Sequence, residues 1–456
     1  MGARGPPPVG VGADVELRRA AMSRRLVVVV RADPVICGHS GEARNLAEVA
    51  LTRGYTDVRL LTWPIAALQA AGLPLKPLDR LQPYSRGITV ERPEPVGDYR
   101  VPDGRFLAGL TGRLVELLAE PVPTTCLSMY LAPHANVVVD AVAAARAAGF
   151  APDVRTIAKA VGSDVTNVIR SCLREGRFGA ATTTLATFLA HDEVVAVSEY
   201  TRQEIIAEAE AVDAHGGTRF ADAFRDRLTV SYPPVDAAAF LDLDPVATDA
   251  ALTRRGLTAG GYVLFLSRVA RAKGVHDLVA AFARCRAREH VRLVIAGTGP
   301  ALPEIRALVA GDERVVLLDD VDDDEKPFLM RGSAAYALPT KPQPDFVETF
   351  GIALAETMLA GGGPVVTTLT GGTGEAVGDT ALIVPAGDVA ALAAGVDHAV
   401  LDMPDAERRD RARRAREHAL AFDRGRVFDG LLPPPTARGS AHDVLLPGTA
   451  LGAPAV

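Results

Sequence analysis

The feature that most restricts this chain is a pattern used twice. From Leu26, short continuous apolar runs alternate with longer amphipathic stretches. LVVVV (26–30) precedes a helical pattern near 42–53, and VRLLTW (58–63) follows. Then come TTCLSM (124–129), a helical pattern at 135–148, VRTIA (154–158), and VVAV (194–197) before another helix. A strand that is apolar on both sides must be covered on both sides. Such runs separated by helices therefore predict a parallel sheet with helices on each face. After SYPPVDAAAFLDLDP (231–245) the pattern restarts with YVLFLS (262–267) and a helix whose Val275, Leu278, Val279 and Phe282 form one apolar stripe. VRLVIA (291–296), RVVLL (314–318), AAYALP (334–339), PVVTT (364–368) and ALIVP (381–385) complete the second half. The expected fold is α/β: two doubly wound, Rossmann-like domains facing across a cleft, with ligands at the carboxyl ends of the strands. An enzyme that uses only one half is equally compatible with this architecture.

Within 456 residues this gives a lead at 1–24 expected to be disordered, a first domain at 25–235 and a linker at 236–258. A second domain at 259–410, a C-terminal helix at 411–432 that crosses back to the first domain, and a disordered tail at 433–456 follow. The formal charge of −7 gives the chain no general attraction to nucleic acid or to anionic membranes. Its four cysteines are scattered, with no CxxC pair, which suits a reducing cytoplasm and neither a disulfide framework nor a cysteine metal site. No run of 18 apolar residues is present, so no membrane span is expected. Only five lysines occur against many arginines, so a lysine in a motif carries weight.

The second half holds the chemistry. Arg268 ends the strand 262–267, and Lys273-Gly274 follows five residues on. A planar fork of donors and a compact point charge in one loop suit a diphosphate; two solvated loop cations are the plain alternative. In AGTGP (296–300), Gly297 lets backbone approach a ligand at a strand end, although such turns often serve only chain reversal. ETFGIALAE (348–356) places Glu348 before a helix expected from about Phe350 to Ala360, and Glu356 inside it. Eight residues rise roughly 12 Å along a helix. The helix start between the two acids offers free N–H groups and a positive dipole end, and Gly351 permits close approach. Carboxylate, anion site, carboxylate matches the hydroxyls, diphosphate and hydroxyls of a nucleotide sugar. A dipole-favoured Glu plus a surface Glu is the competing explanation.

These motifs together resemble family 4 of the retaining GT-B glycosyltransferases. Further likenesses are GGTGEAVGDTALIVPAGDVAALAAGV (371–396), the bridge SYPPVDAAAF, GHSGEARNLAEVALTRG (38–54), VVAVSEYTRQEI (194–205) and AFDRGRVFDGLL near the end. The resemblance spans roughly residues 25 to 430. It implies a first domain for the acceptor and a second for the nucleotide sugar. Arg268 and Lys273 would bind the donor diphosphate and stabilise it as it leaves. Glu356 would take the ribose hydroxyls and Glu348 those of the transferred sugar. Backbone N–H groups of Phe350, Gly351 and Ile352 would touch sugar or phosphate, Gly38 and Gly41 would let the first-domain loop approach, and Val321 would lie near the base.

The family's His-x-His-Tyr element falls on Leu127, Ser128, Met129 and Tyr130, so only the tyrosine matches. His134 is the nearest histidine, with a structural role at a helix start or a catalytic one toward acceptor or sugar both open. Asp164, in AVGSDVTNV, is an acceptor-side candidate alongside Tyr130. No metal is required by this design; DDVDDDE (319–325) reads as a solvated helix start. The expected activity is hexosyl transfer from UDP- or GDP-sugar to a small soluble acceptor, with the departing phosphate accepting the acceptor's proton, and no cofactor beyond the nucleotide sugar. A cyclitol, aminocyclitol or sugar phosphate fits as acceptor, in a natural-product pathway given the composition. An epimerase on the same fold and a decayed sugar-nucleotide-binding subunit are the alternatives. A pyridoxal-type phosphorylase lacks a clear Schiff-base lysine, and a lipid acceptor lacks a basic amphipathic patch.

Overall fold

A computed structural model describes residues 24–96, 102–162, 164, 168–344 and 346–432. The expected tail, and the lead up to residue 23, lie outside the described residues. Two parallel sheets organise the chain. The first has the order β3-β2-β1-β4-β5-β6-β7, from β1 (Arg25–Val29), β2 (Asp57–Leu61), β3 (Ile88–Glu91), β4 (Thr124–Met129), β5 (Val154–Ala160), β6 (Glu193–Ala196) and β7 (Leu228–Val230). The second has the order β10-β9-β8-β11-β12-β13, from β8 (Tyr262–Leu266), β9 (Arg292–Ala296), β10 (Val315–Leu318), β11 (Ala335–Leu338), β12 (Val365–Thr367) and β13 (Leu382–Ile383).

Continuous apolar runs become strands covered on both faces because successive side chains point to opposite sides. Leu26 and Val28 of β1, with Val30 just beyond it, pack under helix Gly38–Thr52, through Ala43, Leu46 and Ala47. Val27 and Val29 face the other way, onto Leu110, Leu114 and Leu117 of helix Pro102–Ala119 and Val138 of helix Asn136–Ala147. The second sheet and its helices share one continuous core, from Val235 to Phe422.

Residues 236–258 do not hang between the lobes. They form a short 3₁₀ turn and helix Pro245–Arg254, which Asp244 caps by accepting from the Val246 and Ala247 N–H groups. Phe240, Leu252 and Leu257 lie in the second core. The crossing at the chain's end is likewise two helices, Asp405–Ala419 on the second lobe and Arg424–Leu431 on the first, with a 3₁₀ turn at Leu420–Phe422 between them. Phe428 and Leu431 enter the first core. Where the chain passes between lobes its two strands are tied together: Val235 N–H donates to Phe422 and Arg424 N–H to Val235, both at 2.8 Å. Tyr232, Phe350 and Phe422 pack ring against ring over this crossing, with centroids 4.9–5.5 Å apart.

Candidate functional site

Each sheet reverses its winding once, between β1 and β4 in the first and between β8 and β11 in the second. At such a switch the loops leave in opposite directions and open a crevice beyond the strand ends. The two crevices face each other across a cleft of about 1010 Å3. Its walls are the loop after β1, the start of helix Gly38–Thr52, the loops after β8, β9 and β10, Gln343 and the segment 346–356.

On the second lobe, Arg268 and Lys273 both flank the Phe346 ring, 5.5 and 5.4 Å from its centroid. Lys273 donates to Glu348, which is 8% exposed. Gly274 follows at φ +71°, and a Cβ there would lie 1.8 Å from the Pro339 carbonyl oxygen, so only glycine lets this loop fold against the end of β11. Helix Ile352–Ala360 begins at Gly351, φ +94°, with no side-chain cap. Its first N–H groups, which have no intrahelical partners, open toward the cleft wall formed by Phe350, Gly351, Ile352 and Ala353. The Phe350 side chain is buried in the crossing, leaving its backbone as the part that faces a ligand. Glu356 accepts from Lys326 Nζ at 2.7 Å. Burial works to lower the Lys326 pKa, but Glu356 and Asp323 outweigh it and raise it, so Lys326 is charged.

Gly38, Gly41, Gly297, Val321, Arg268, Lys273, Glu348, Phe350, Gly351, Ile352, Glu356 and Tyr130, singled out in the sequence, all line this one cleft. Two other candidates do not. His134 is buried behind the wall, its ring edge-on to Trp63 (4.9 Å) and Tyr130 (5.9 Å), with neither ring nitrogen in a well-formed hydrogen bond. Burial first, then His39 and Arg31, push its pKa well below the usual imidazole value. Asp164 is also buried, and its carboxylate accepts from the N–H groups of Leu131, Val161 and Gly162, organising the loops after β4 and β5. Nor is the acidic run 319–325 only a solvated helix start. Asp323 accepts from Lys76 (2.7 Å) and Asp324 from Gln82 (2.6 Å), both across the cleft mouth.

Several cleft residues were missed. Arg31 and His39 face one another on the first lobe. Lys326 and Lys76 line the cleft, while Lys159, fully buried, donates to Glu42 of the wall and to the Tyr232 carbonyl of the crossing. Burial raises the Glu42 pKa in spite of that lysine. A signal was present: in a chain with five lysines, Lys76, Lys273 and Lys326 line the cleft and Lys159 stands one side chain behind it.

The two facing lobes have the GT-B architecture, and residues 260–402 of the second lobe match the family model described as Glycosyl transferases group 1. Among particular proteins, the chain is similar to the glycogen synthases of two Mycobacterium tuberculosis strains, CDC 1551 / Oshkosh and ATCC 25618 / H37Rv, each 38% identical over 179 residues. That match covers 37% of this chain and spans 41% of the relatives' length. The solved structure of Anabaena Alr3699/HepE in complex with UDP-glucose superposes with a TM-score of 0.64 at 18% identity, over 89% of this chain and 98% of that one. Sucrose-phosphate synthase from Thermosynechococcus elongatus superposes with a TM-score of 0.61 at 19% identity, over 89% and 96%.

Proposed function

We propose that this chain is a retaining glycosyltransferase that moves a hexose-type sugar from a nucleoside-diphosphate sugar to a small soluble acceptor. One observation carries the reading. Glu348 and Glu356 flank an uncapped helix start, and Arg268 and Lys273 stand beside it on one cleft wall. In this reading Glu356 receives the ribose hydroxyls, Glu348 those of the hexose, and the cations with the 350–352 backbone hold the diphosphate. The bond between the anomeric carbon and the β-phosphate oxygen breaks, and its electron pair stays on that oxygen. The acceptor hydroxyl oxygen bonds to the carbon on the same face, and its proton passes to the departing phosphate. Donors preorganised around the leaving charge are the strongest lever for such a step, and in this reading side chains and backbone supply them. The UDP-glucose bound by HepE makes that donor the first to test.

Thermal unfolding with UDP, GDP, ADP and their glucose conjugates tests the binding half, because a ligand that binds only the native state raises the midpoint. One nucleotide series should stabilise the protein, and Glu356→Ala should shrink that shift at equal ligand concentration, as an about tenfold weaker affinity requires. If no nucleoside diphosphate moves the midpoint, the reading is wrong. Conversion of donor sugar without any acceptor would instead establish the epimerase.

A further inference from the structure

Charges on the cleft wall are mostly paired within the protein. Lys76 bonds Asp33 and Asp323, Arg271 bonds Glu304, Lys273 bonds Glu348, and Lys326 bonds Glu356. Among the described residues two wall cations have no carboxylate partner, Arg268 on the second lobe and Arg31 on the first. The first belongs to the diphosphate in the function proposed above. Arg31 has no such assignment.

Arg31 follows β1, where the first sheet reverses its winding. Its guanidinium lies over the Tyr130 ring, 5.0 Å from the centroid, and Nη2 meets His39 Nε2 at 3.2 Å. Its Nε is buried with no partner. His39 is no counter-ion, since an imidazole is either neutral or positive: its Nε2 accepts from the guanidinium, and burial first, then Arg31, lowers its pKa to about 3. Nearby carboxylates are already committed. Asp33 is held by Arg44 at 2.7 Å and by Lys76, and Glu42 by Lys159. A full positive charge thus stands on the wall among an aromatic face and a neutral imidazole. Leaving a partly buried charge without a counter-charge is costly, and Arg presents a fork of donors that fits phosphate and carboxylate alike.

We infer that Arg31, seated over Tyr130 and bonded to His39, binds an anionic group on the acceptor, so that the acceptor is a phosphorylated or carboxylated polyol rather than a neutral sugar. The inference rests on the glycosyltransferase reading and deepens it. The Tyr130 ring attracts the guanidinium through its face without taking any of its N–H donors, which leaves donors for the ligand. The acceptor's charge would then sit on the first lobe, apart from the diphosphate held by the second.

Three probes that share one ring separate the charge from the sugar: glucose, glucuronate and glucose 6-phosphate, each titrated calorimetrically into the intact protein saturated with UDP. At least one anionic probe should bind about tenfold or more tightly than glucose, the size expected of charge-assisted hydrogen bonds. Which one binds tells carboxylate from phosphate monoester. Arg31→Gln should erase that preference, Arg31→Lys should restore part of it, and UDP affinity should change less than about twofold in both. No preference for either anion in the wild type overturns the inference, as does an Arg31→Gln protein that loses UDP affinity along with the anion, since Arg31 would then serve the donor. Failure of the wild type to bind UDP or any other nucleoside diphosphate is a different result, and it removes the donor reading itself.

Discussion

Lys273 donates to Glu348 and Lys326 to Glu356, so each carboxylate assigned to the donor shares its oxygens with a lysine. The two pairs answer differently to substitution. In the proposed mechanism Lys273 meets charge that develops only as the diphosphate leaves. Lys273→Met should therefore lower kcat by about 10²–10³, the loss typical when one donor to a developing charge is removed, with donor KM changing far less. Steady-state kinetics with a saturating acceptor reads this directly, and an unchanged kcat would place Lys273 outside the reaction. Glu356 is assigned to ground-state contacts with the ribose and is also the partner of a partly buried lysine. Glu356→Ala should weaken nucleotide binding by about tenfold and cost about 1–3 kcal/mol of stability, since Lys326 loses its partner. In the double variant Glu356→Ala, Lys326→Met the uncompensated charge is gone, so much of the stability should return while nucleotide binding does not. Recovery of binding in the double variant would mean that Glu356 only neutralises Lys326.

Loops hold these residues by close backbone contact, and Gly274 shows the cost of disturbing one. Its Cβ would strike the Pro339 carbonyl oxygen at φ +71°, whereas Gly54, at φ +82°, has nothing within 4 Å of the same position. Gly54→Ala should cost about 1 kcal/mol, the strain of a left-handed alanine. Gly274→Ala should cost about 3 kcal/mol or more, because strain and overlap add, and it should weaken UDP binding by displacing Lys273. Equal losses in denaturant titrations would show that the Pro339 contact is slack. The same scale explains what could be read in advance. Central strands such as β1, β4, β8 and β9 are almost wholly buried, and their runs mark them to within a residue or two. The edge strand β3, ITVE, lies half in solvent, and β7 has only three residues, so neither carries a continuous apolar run. Glu348 and Glu356 were visible because their spacing is local, one just before a helix and one inside it. Arg31 and His39 were not, because their meaning depends on a cleft between residues that lie far apart in sequence. His134 misled for a physical reason: it stands close behind the end of β4, but the loop there turns its ring inward against Trp63.

Across the whole molecule the lobes are joined at both ends of the cleft. The mouth is bridged by Lys76–Asp323 and Gln82–Asp324, and at the crossing side the Glu375 carboxylate accepts the first N–H groups of helix Glu199–Gly216 at 2.7 and 2.9 Å. That carboxylate meets the positive end of an 18-residue helix, a favourable pairing. Helix Arg424–Leu431 then places the end of the second lobe's chain in the first core, so loosening the first lobe loosens the junction as well. The weak point is acid. Burial lowers the pKa of His39 to about 3, of His134 well below its ordinary value, and of His191 in the same direction. Below about pH 6.5 the unfolded chain binds protons on these rings that the folded chain refuses, so stability present above that pH is lost as pH falls. Glu42 and Asp164 act in the opposite sense, because burial raises their pKa values and the folded form holds those protons more tightly. A comparison with His134→Leu isolates one ring, since every other group cancels. Between pH 6 and 4.5 the wild type should lose stability more steeply than the variant, by up to about 1.4 kcal/mol per pH unit, the value of one proton. Urea titrations of both proteins across that range measure the two slopes. Parallel slopes would mean that His134 takes up its proton in the folded state, which would require a water path to a ring that stands behind the cleft wall with neither nitrogen in a well-formed hydrogen bond.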